Sequence, residues 1–469
     1  MHTPAATATV IGGGMAGVAA ATHLAKHGVR VTVIDRNDYL QFQPLLYQVA
    51  TSQLPAEDVA RPLQTLFADS PTVTVVQAEV TGADLQRRVV HTSQGDIGPA
   101  DHLVVAAGST ANFFGTPGAA EHSFPLYSVV DAERLRRQLS GELRRVCLPA
   151  GAEQTAASRS ADEAAAADPA DRPVASQDQT TVVIVGGGPT GVETAGAVGE
   201  LVDALVREGR LAGSAKVQLV DHGHALLKPF TQESQQYALA KLQKIGVDVE
   251  FGLAVTGVQA DGVTLSDGST RPAHTVVWGG GVSAPPVVAN LGAPTGHGGR
   301  IDVAADLSVP GFPGVWAIGD VANIPDTHDQ ERAAGADSPP GHPPTLPQLG
   351  SVAVQSGEAV AHNIRAVLKG KGTEPFAYRD KGIMAMIGRN AAVAEVGRHR
   401  HEIHGPVAFI AWLGLHAMLL SGVHSRVDAF LQWANGYVHK DRAARLELDG
   451  QPDRIAWDDD SADRPTIDA

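Results

Sequence analysis

Apolar positions in this chain gather into short β-branched runs, each closed by glycine and followed by small helix-forming residues. The stretch ATVIGGGMAGVAAATHLAKHGVRVTVIDR near the start is the first of these. Residues 9–11 show no polar alternation, as expected of a strand covered on both faces in a parallel sheet. Residues 15–26 then read as a helix stopped by Gly28, and residues 29–34 as a second strand ending in Asp35. TTVVIVGGGPTGVETAGAVGEL repeats the order, with strand 181–185, helix 192–208, and a further strand 216–220 ending in Asp221. Periods of this kind predict an α/β chain built on parallel sheets.

Between each strand and its helix stands Gly-x-Gly-x-x-Gly: Gly12, Gly14 and Gly17 in the first copy, Gly186, Gly188 and Gly191 in the second. A helix N-terminus offers unpaired N–H groups and partial positive charge, and a pyrophosphate reaches them only where no Cβ intervenes. The acid at the tip of the next strand accepts hydrogen bonds from a ribose diol. One such turn also serves plain packing, but two, each in the complete strand–turn–helix–strand–acid order, predict two Rossmann-like dinucleotide-binding domains. The interval from Gly186 to Asp221 is longer than that from Gly12 to Asp35, and residues 209–214 read as a loop that takes up part of the excess. Two dinucleotides on one chain imply a bound redox group and its electron donor, hence FAD in one site and a nicotinamide in the other. A carboxylate at Asp221 would repel a 2′-phosphate and so favours NADH over NADPH.

Further apolar runs punctuate the chain. Residues 101–110 and 274–286 each read as a buried strand and small-residue turn, crossings between domains. In GVWAIGDVAN, Asp320 follows a strand and Gly319, where it serves as a helix N-cap or holds the ribityl chain of a flavin. Residues 405–423 are the most apolar stretch, yet Gly414, His416 and Gly422 interrupt it, which suits an interfacial helix pair or a core helix better than a span. Trp412, Leu415, Leu419, Phe430 and Trp433 recur at helical spacing and are expected on a lipid-facing side.

Composition narrows the function. A length of 469 residues exceeds the roughly 250 to 300 at which single cores stop growing, so two or three domains are expected. One cysteine, Cys147, excludes a disulfide scaffold, a cysteine-pair redox mechanism and a thiolate zinc site. A net charge of -15 disfavours nucleic acid as a partner. Lys and Arg nonetheless outnumber Asp and Glu between residues 389 and 445, the composition of a segment that touches anionic lipid, with a dimer interface as the other reading. Residues 150–178 and 326–345 read as surface insertions, their histidines 328 and 342 as solvated rather than metal-binding, and residues 446–469 as a disordered acidic tail. The first apolar segment carries a glycine turn rather than a cleavable leader.

Together with NDYLQFQPLLYQVAT, AGSTANFFGTPG, VWGGGV, WAIGDVAN, DKGIMAMIGRNAAVAEV and AWLGLHAMLLSGVHSRVDAFLQW, the two turns make the chain resemble the type II NADH dehydrogenases, single-subunit flavoenzymes. The resemblance implies a FAD domain in two halves, 5–118 and 283–385, an NADH domain at 119–282, and a segment at 386–445 that anchors to the cytoplasmic face of the cell membrane or forms a homodimer. It assigns Gly12, Gly14, Gly17, Asp35, Gly319 and Asp320 to noncovalent FAD, and Pro44, Leu45 and Leu46 to the neighbourhood of the flavin ring. Gly186, Gly188, Gly191, Asp221 and Gly280 fall on the NADH side. Glu193 matches a glutamate near nicotinamide and flavin, and Lys381 a lysine at the flavin pyrimidine edge, where a cation stabilises the reduced ring. At the quinone site, Gln355 is kept, but Ser351 stands where the family often has glutamine.

The reaction expected is non-electrogenic: hydride from NADH to FAD N5, then two electrons and two protons to a membrane quinone. The alternative is a soluble NADH-dependent flavoprotein reductase of a protein electron carrier, which has no need of the apolar C-terminal region. Sulfide–quinone and disulfide reductases need cysteines the chain lacks.

Overall fold

The computed structural model describes residues 5–147, 179–211, 213–326, 344–397, 400–419 and 433. The expected insertion at 150–178, most of that at 326–345, His328, His342, Phe430 and the acidic tail lie outside them.

β1 (Thr7–Ile11) leads through the first glycine turn into α1 (Met15–Ala25) and back to β2 (Arg30–Asp35). The short α2 (Leu46–Ala50) follows, then β3 (Val73–Gln77) and β4 (His102–Val105). These strands are parallel, and the valines and isoleucines of β1, β2 and β4 are buried on both faces, which accounts for the absence of alternation there; those of the edge strand β3 are only partly covered. The chain leaves this sheet by β5 (Thr110–Ala111) and builds a second from β6 (Phe124–Pro125), β7 (Gln179–Val185), β8 (Ser214–Asp221), β9 (Val247–Phe251) and β10 (Thr275–Trp278). Its spatial order is β6-β10-β7-β8-β9, all parallel. Helices α3 (Val129–Val146), α4 (Pro189–Arg207) and α5 (Gln232–Lys244) belong to this part. β11 (Val282–Ser283) returns, antiparallel to β5 with Thr110 opposite Ser283, and β12 (Val315–Ala317) then joins β4 to complete the first sheet as β12-β4-β1-β2-β3. The expected α/β architecture of two parallel dinucleotide-binding sheets is the one observed.

α4 starts at Pro189, earlier than the pattern of apolar residues indicates, because proline preset near helical φ is well suited to the first turn. After β12, α6 (Gly350–Leu368) packs on α1 so closely that a Cβ on Gly357 would stand 2.4 Å from the Ala16 carbonyl oxygen.

A three-stranded antiparallel sheet that the sequence reading did not separate from its surroundings comes next: β13 (Gly382–Gly388), β14 (Ala391–Val396) and β15 (His401–His404). α7 (Pro406–Leu419) follows it. Its inward stripe is Ala408, Trp412 and His416, so the expectation that Trp412 faces lipid is corrected. Trp412 is 1% exposed, stacks on His416 and meets Tyr47 of α2 edge-on. Trp433 is drawn inward too, donating to the buried Gln48 side chain at 2.8 Å. Leu415 and Leu419 do face outward, with Val407, Ile410 and Met418.

Candidate functional site

The two glycine turns are built alike. Gly12 has φ +105, and a Cβ there would lie 2.2 Å from the Ala106 carbonyl oxygen; Gly186 has φ +105, with the Gly279 carbonyl oxygen at 2.4 Å. Cβ atoms on Gly17 and Gly191 would strike the carbonyls of Gly12 and Gly186. These four glycines are therefore required by the protein's own packing. Gly14 and Gly188 differ: a Cβ on either meets no protein atom within 4 Å. Both are N-caps without a side-chain cap, so the N–H groups of α1 and α4 open onto free space. That pair of cradles is where a pyrophosphate fits.

Each turn is latched by its acid. Asp35 accepts from Gly13 N–H at 2.6 Å and Asn37 N–H at 2.8 Å; Asp221 accepts from Gly187 N–H at 2.6 Å and Gly223 N–H at 2.6 Å. The longer interval before Asp221 thus leaves its geometry equal to that of Asp35. Burial pushes the Asp35 carboxyl above the usual range, opposed by the two N–H donors. Asp320 is likewise raised by burial, and accepts from Ser109 Oγ at 2.9 Å. Gly319 has φ +68 and lies against the first turn of α1, where a Cβ would come within 2.9 Å of Ala16 Cβ.

Two assignments change in kind. Gly280 lacks a Cβ because Trp278 needs the room, its indole nitrogen standing 2.9 Å from where that Cβ would be. Leu45 and Leu46 point into the core, as a tight turn running into α2 directs them, and of the three ring-side residues only Pro44 keeps surface.

The remaining predicted residues meet along one segment, 378–386. Tyr378 hydroxyl lies 2.8 Å from Ser351 Oγ. Arg379 is clamped by Gln355, whose Nε2 donates to the Arg379 carbonyl at 3.1 Å and whose Oε1 accepts from Arg379 N–H at 3.0 Å. The Gln355 amide therefore spends both ends on main chain, and what it holds is the segment that leads through Lys381 into β13. Lys381 is exposed. Beside it Asp380 accepts from Gly382 N–H at 2.9 Å and lies 3.9 Å from Arg400, which pairs with the buried Glu395 at 3.2 Å. At the far end, Met386 N–H donates to Glu193 Oε1 at 3.0 Å. Glu193 keeps some accessible surface, but its carboxyl is packed round by protein, and this burial raises its pKa to about 8 against the single N–H donor. α4 approaches β13 this closely because Gly196 has no Cβ to strike the Ile387 carbonyl.

Sequence reasoning missed three side chains here. Tyr378, two residues before the Asp-Lys-Gly motif, is the partner of the departure at Ser351. His416, stacked on Trp412 with ring centroids 3.8 Å apart, is held down to a pKa of about 4 by burial. Tyr127 links the Gly279–Gly281 turn to the residues before Pro44. No local motif marks Tyr127; only the three-dimensional contact does.

The sequence profile of the pyridine nucleotide-disulphide oxidoreductases matches residues 7–357. The chain is similar to the type II NADH:quinone oxidoreductase Ndh of Mycobacterium tuberculosis, 32% identical over 462 residues, covering 94% of this chain and 90% of that one. It is 28% identical over 396 residues to the type II NADH:quinone oxidoreductase of Staphylococcus aureus, covering 82% and 89%. Among solved structures, NDH2 from Plasmodium falciparum in complex with NADH superimposes with a TM-score of 0.76 at 16% identity, over 92% of this chain and 98% of that one.

Proposed function

The chain belongs to the pyridine nucleotide-disulphide oxidoreductase family and, within it, to the type II NADH:quinone oxidoreductases, and from that premise we propose how its residues carry the reaction. It is an oxidoreductase with FAD and NADH as cofactors, and the balanced reaction is NADH + H⁺ + quinone → NAD⁺ + quinol. FAD, when bound, accepts the hydride and passes both electrons on.

The open, uncapped N-termini of α1 and α4 are the observation that carries the reading. Residues 5–118 and 283–385 hold FAD noncovalently through Gly12, Gly14, Gly17, Asp35, Gly319 and Asp320. Residues 119–282 hold NADH through Gly186, Gly188, Gly191 and Asp221, whose carboxylate takes the ribose diol. Lys381 supplies positive charge at the pyrimidine edge, and Glu193 holds a proton near the ring. Quinone is taken near Ser351 and Tyr378, on a wall that Gln355 keeps in place.

The same proposal places the enzyme on the cytoplasmic face of the cell membrane as a peripheral homodimer. Among the described residues no helix is long and apolar enough to cross a membrane. The outward face of α7 supports the attachment, with Val407 64%, Ile410 68% and Met418 66% exposed on one side. Purified, FAD-loaded protein is to be given NADH with a panel of quinones and, separately, with small redox proteins. Quinol formed one for one with NADH is expected. Turnover with the redox proteins alone would overturn the quinone assignment.

A further inference from the structure

Hydride transfer between two dinucleotides held on two different sheets needs the sheets in register, since a misplacement of ~1 Å costs on the order of 100-fold in rate. The chain crosses between the parts that bear the two rings at the paired β5 and β11. On the nicotinamide side the relevant turn is Gly279–Gly281, which follows β10 and touches Gly186. On the flavin side it is Gln41–Pro44, which runs into α2. One residue bonds both, the first through its side chain and the second through its main chain. Tyr127 hydroxyl donates to the Gly281 carbonyl at 3.0 Å, while the Tyr127 carbonyl accepts from Gln41 Nε2 at 2.8 Å and Gln43 Nε2 at 3.3 Å.

Both ends of this tie are themselves fixed. Tyr127 immediately precedes the N-cap of α3, where Ser128 and Asp131 form a capping box; Asp131 also accepts from Tyr127 N–H at 3.2 Å. Gln41 returns a second bond by accepting from Val129 N–H at 3.1 Å. At the other end Gly281, at φ +124, also accepts from Asn112 N–H at 3.0 Å, and Asn112 takes the Trp278 indole N–H at 2.8 Å. A tie between two anchored points transmits position, whereas one between mobile loops would not.

We propose that Tyr127 is a positioning residue that sets the register between the Gly279–Gly281 turn and the Gln41–Pro44 segment, and through it the approach of nicotinamide to flavin. This rests on the proposed function. Burial holds the Tyr127 phenol up to about 12, so it remains a hydrogen-bond donor throughout the working range of the enzyme.

Tyr127→Phe removes the hydroxyl and nothing else. In stopped flow, the limiting rate of flavin reduction by NADH is expected to fall on the order of 10-fold, with the apparent Kd for NADH little changed. The long-wavelength absorbance of the reduced protein with NAD⁺, which reports ring stacking, should weaken. Hydrogen exchange at residues 39–46 and 279–283, measured without nucleotide, should quicken. Oxidation of the reduced protein by quinone should not change. Gln41→Leu should act in the same direction, and the double variant should be no worse than the more severe single, because both cut one tie.

An unchanged limiting rate and absorbance in Tyr127→Phe would overturn the proposal. So would a raised Kd with an unchanged limiting rate, which would make Tyr127 a substrate contact. Unaltered protein that NADH reduces but quinone does not oxidise would overturn the proposed function and leave Tyr127 standing; protein that NADH cannot reduce would overturn both.

Discussion

Glu193 accepts a hydrogen bond from Met386 N–H at 3.0 Å, and this bond joins the helix after the second glycine turn to the C-terminal sheet. One neutral donor does not offset the burial of a carboxylate, so the group is lifted from 4.5 to about 8 and is neutral at pH 7. The limiting rate of flavin reduction in the unaltered enzyme should therefore show an inflection near pH 8, and Glu193→Gln, neutral at every pH, should lack it. Stability follows the same linkage. A folded-state pKa raised above the unfolded value gives stability fully present below about 4.5 and lost as pH rises through about 8. The melting temperature of the unaltered protein should thus fall relative to Glu193→Gln across that window. Parallel melting curves from pH 5 to 9 would show that the carboxyl is not held neutral.

Asp221 latches its turn with both oxygens, on Gly187 and on Gly223. Asp221→Ala would collapse the latch and obscure any effect on specificity, whereas Asp221→Asn keeps an acceptor and removes the charge. The asparagine variant should raise KM for NADH about ten-fold, the worth of a hydrogen bond to a charged group, and narrow the preference over NADPH. Steady-state kinetics with both nucleotides decide it. An unaltered enzyme equally efficient with NADPH would remove Asp221 from the specificity argument.

The cradles were legible because Gly-x-Gly-x-x-Gly is a backbone requirement: Gly17 lies against the carbonyl of Gly12 and Gly191 against that of Gly186, contacts within one turn and so written locally. Asp35 and Asp221 were legible for the same reason, each ending the strand next to its turn. Helix faces were harder. Trp412 and Leu415 lie three positions apart, as residues on one face do, yet one is buried against Tyr47 and the other exposed, because the boundary of the covered face is set by α2 and β14 rather than by α7 itself. Gln355 was expected to bond quinone, whereas the partner it has in the structure, the main chain of Arg379, is invisible to any pattern of side chains. Tyr127 was missed altogether, since its meaning lies in a contact to a residue 154 positions away.

Ser351 and Tyr378 form one hydroxyl pair on the wall assigned to quinone. Ser351→Ala and Tyr378→Phe should each raise KM for quinone several-fold and leave flavin reduction by NADH unchanged, and the double variant should match the worse single. Gln355→Ala acts differently. It releases both bonds to Arg379, at about 1 kcal/mol each, so it should lower the melting temperature as well as quinone use. If Gln355→Ala weakens quinone binding with no loss of stability, the amide meets quinone directly and the clamp is secondary.

α7 separates two kinds of apolar side chain on one helix, and this makes membrane attachment testable without deleting anything. Trp412 is covered by Tyr47 and His416; Trp412→Ala should cost about 3–5 kcal/mol of stability, as for other large buried aromatics, in detergent and on vesicles alike. Ile410 and Met418 are 68% and 66% exposed, so replacing both with glutamate removes no core contact and should leave the melting temperature nearly unchanged. Full burial of such a side chain contributes about 1.5–3 kcal/mol, so loss of two from a lipid surface should reduce partitioning by more than ~100-fold even before charge repulsion is counted. Flotation with vesicles of anionic phospholipid should leave Ile410→Glu/Met418→Glu in the soluble fraction, while ferricyanide reduction by NADH continues at the unaltered rate. If the double variant still floats, α7 is not the attachment. If it stays soluble because a dimer has come apart, seen as halved mass in light scattering where the unaltered protein was dimeric and never floated, the apolar face belongs to a second copy of the chain instead of to lipid.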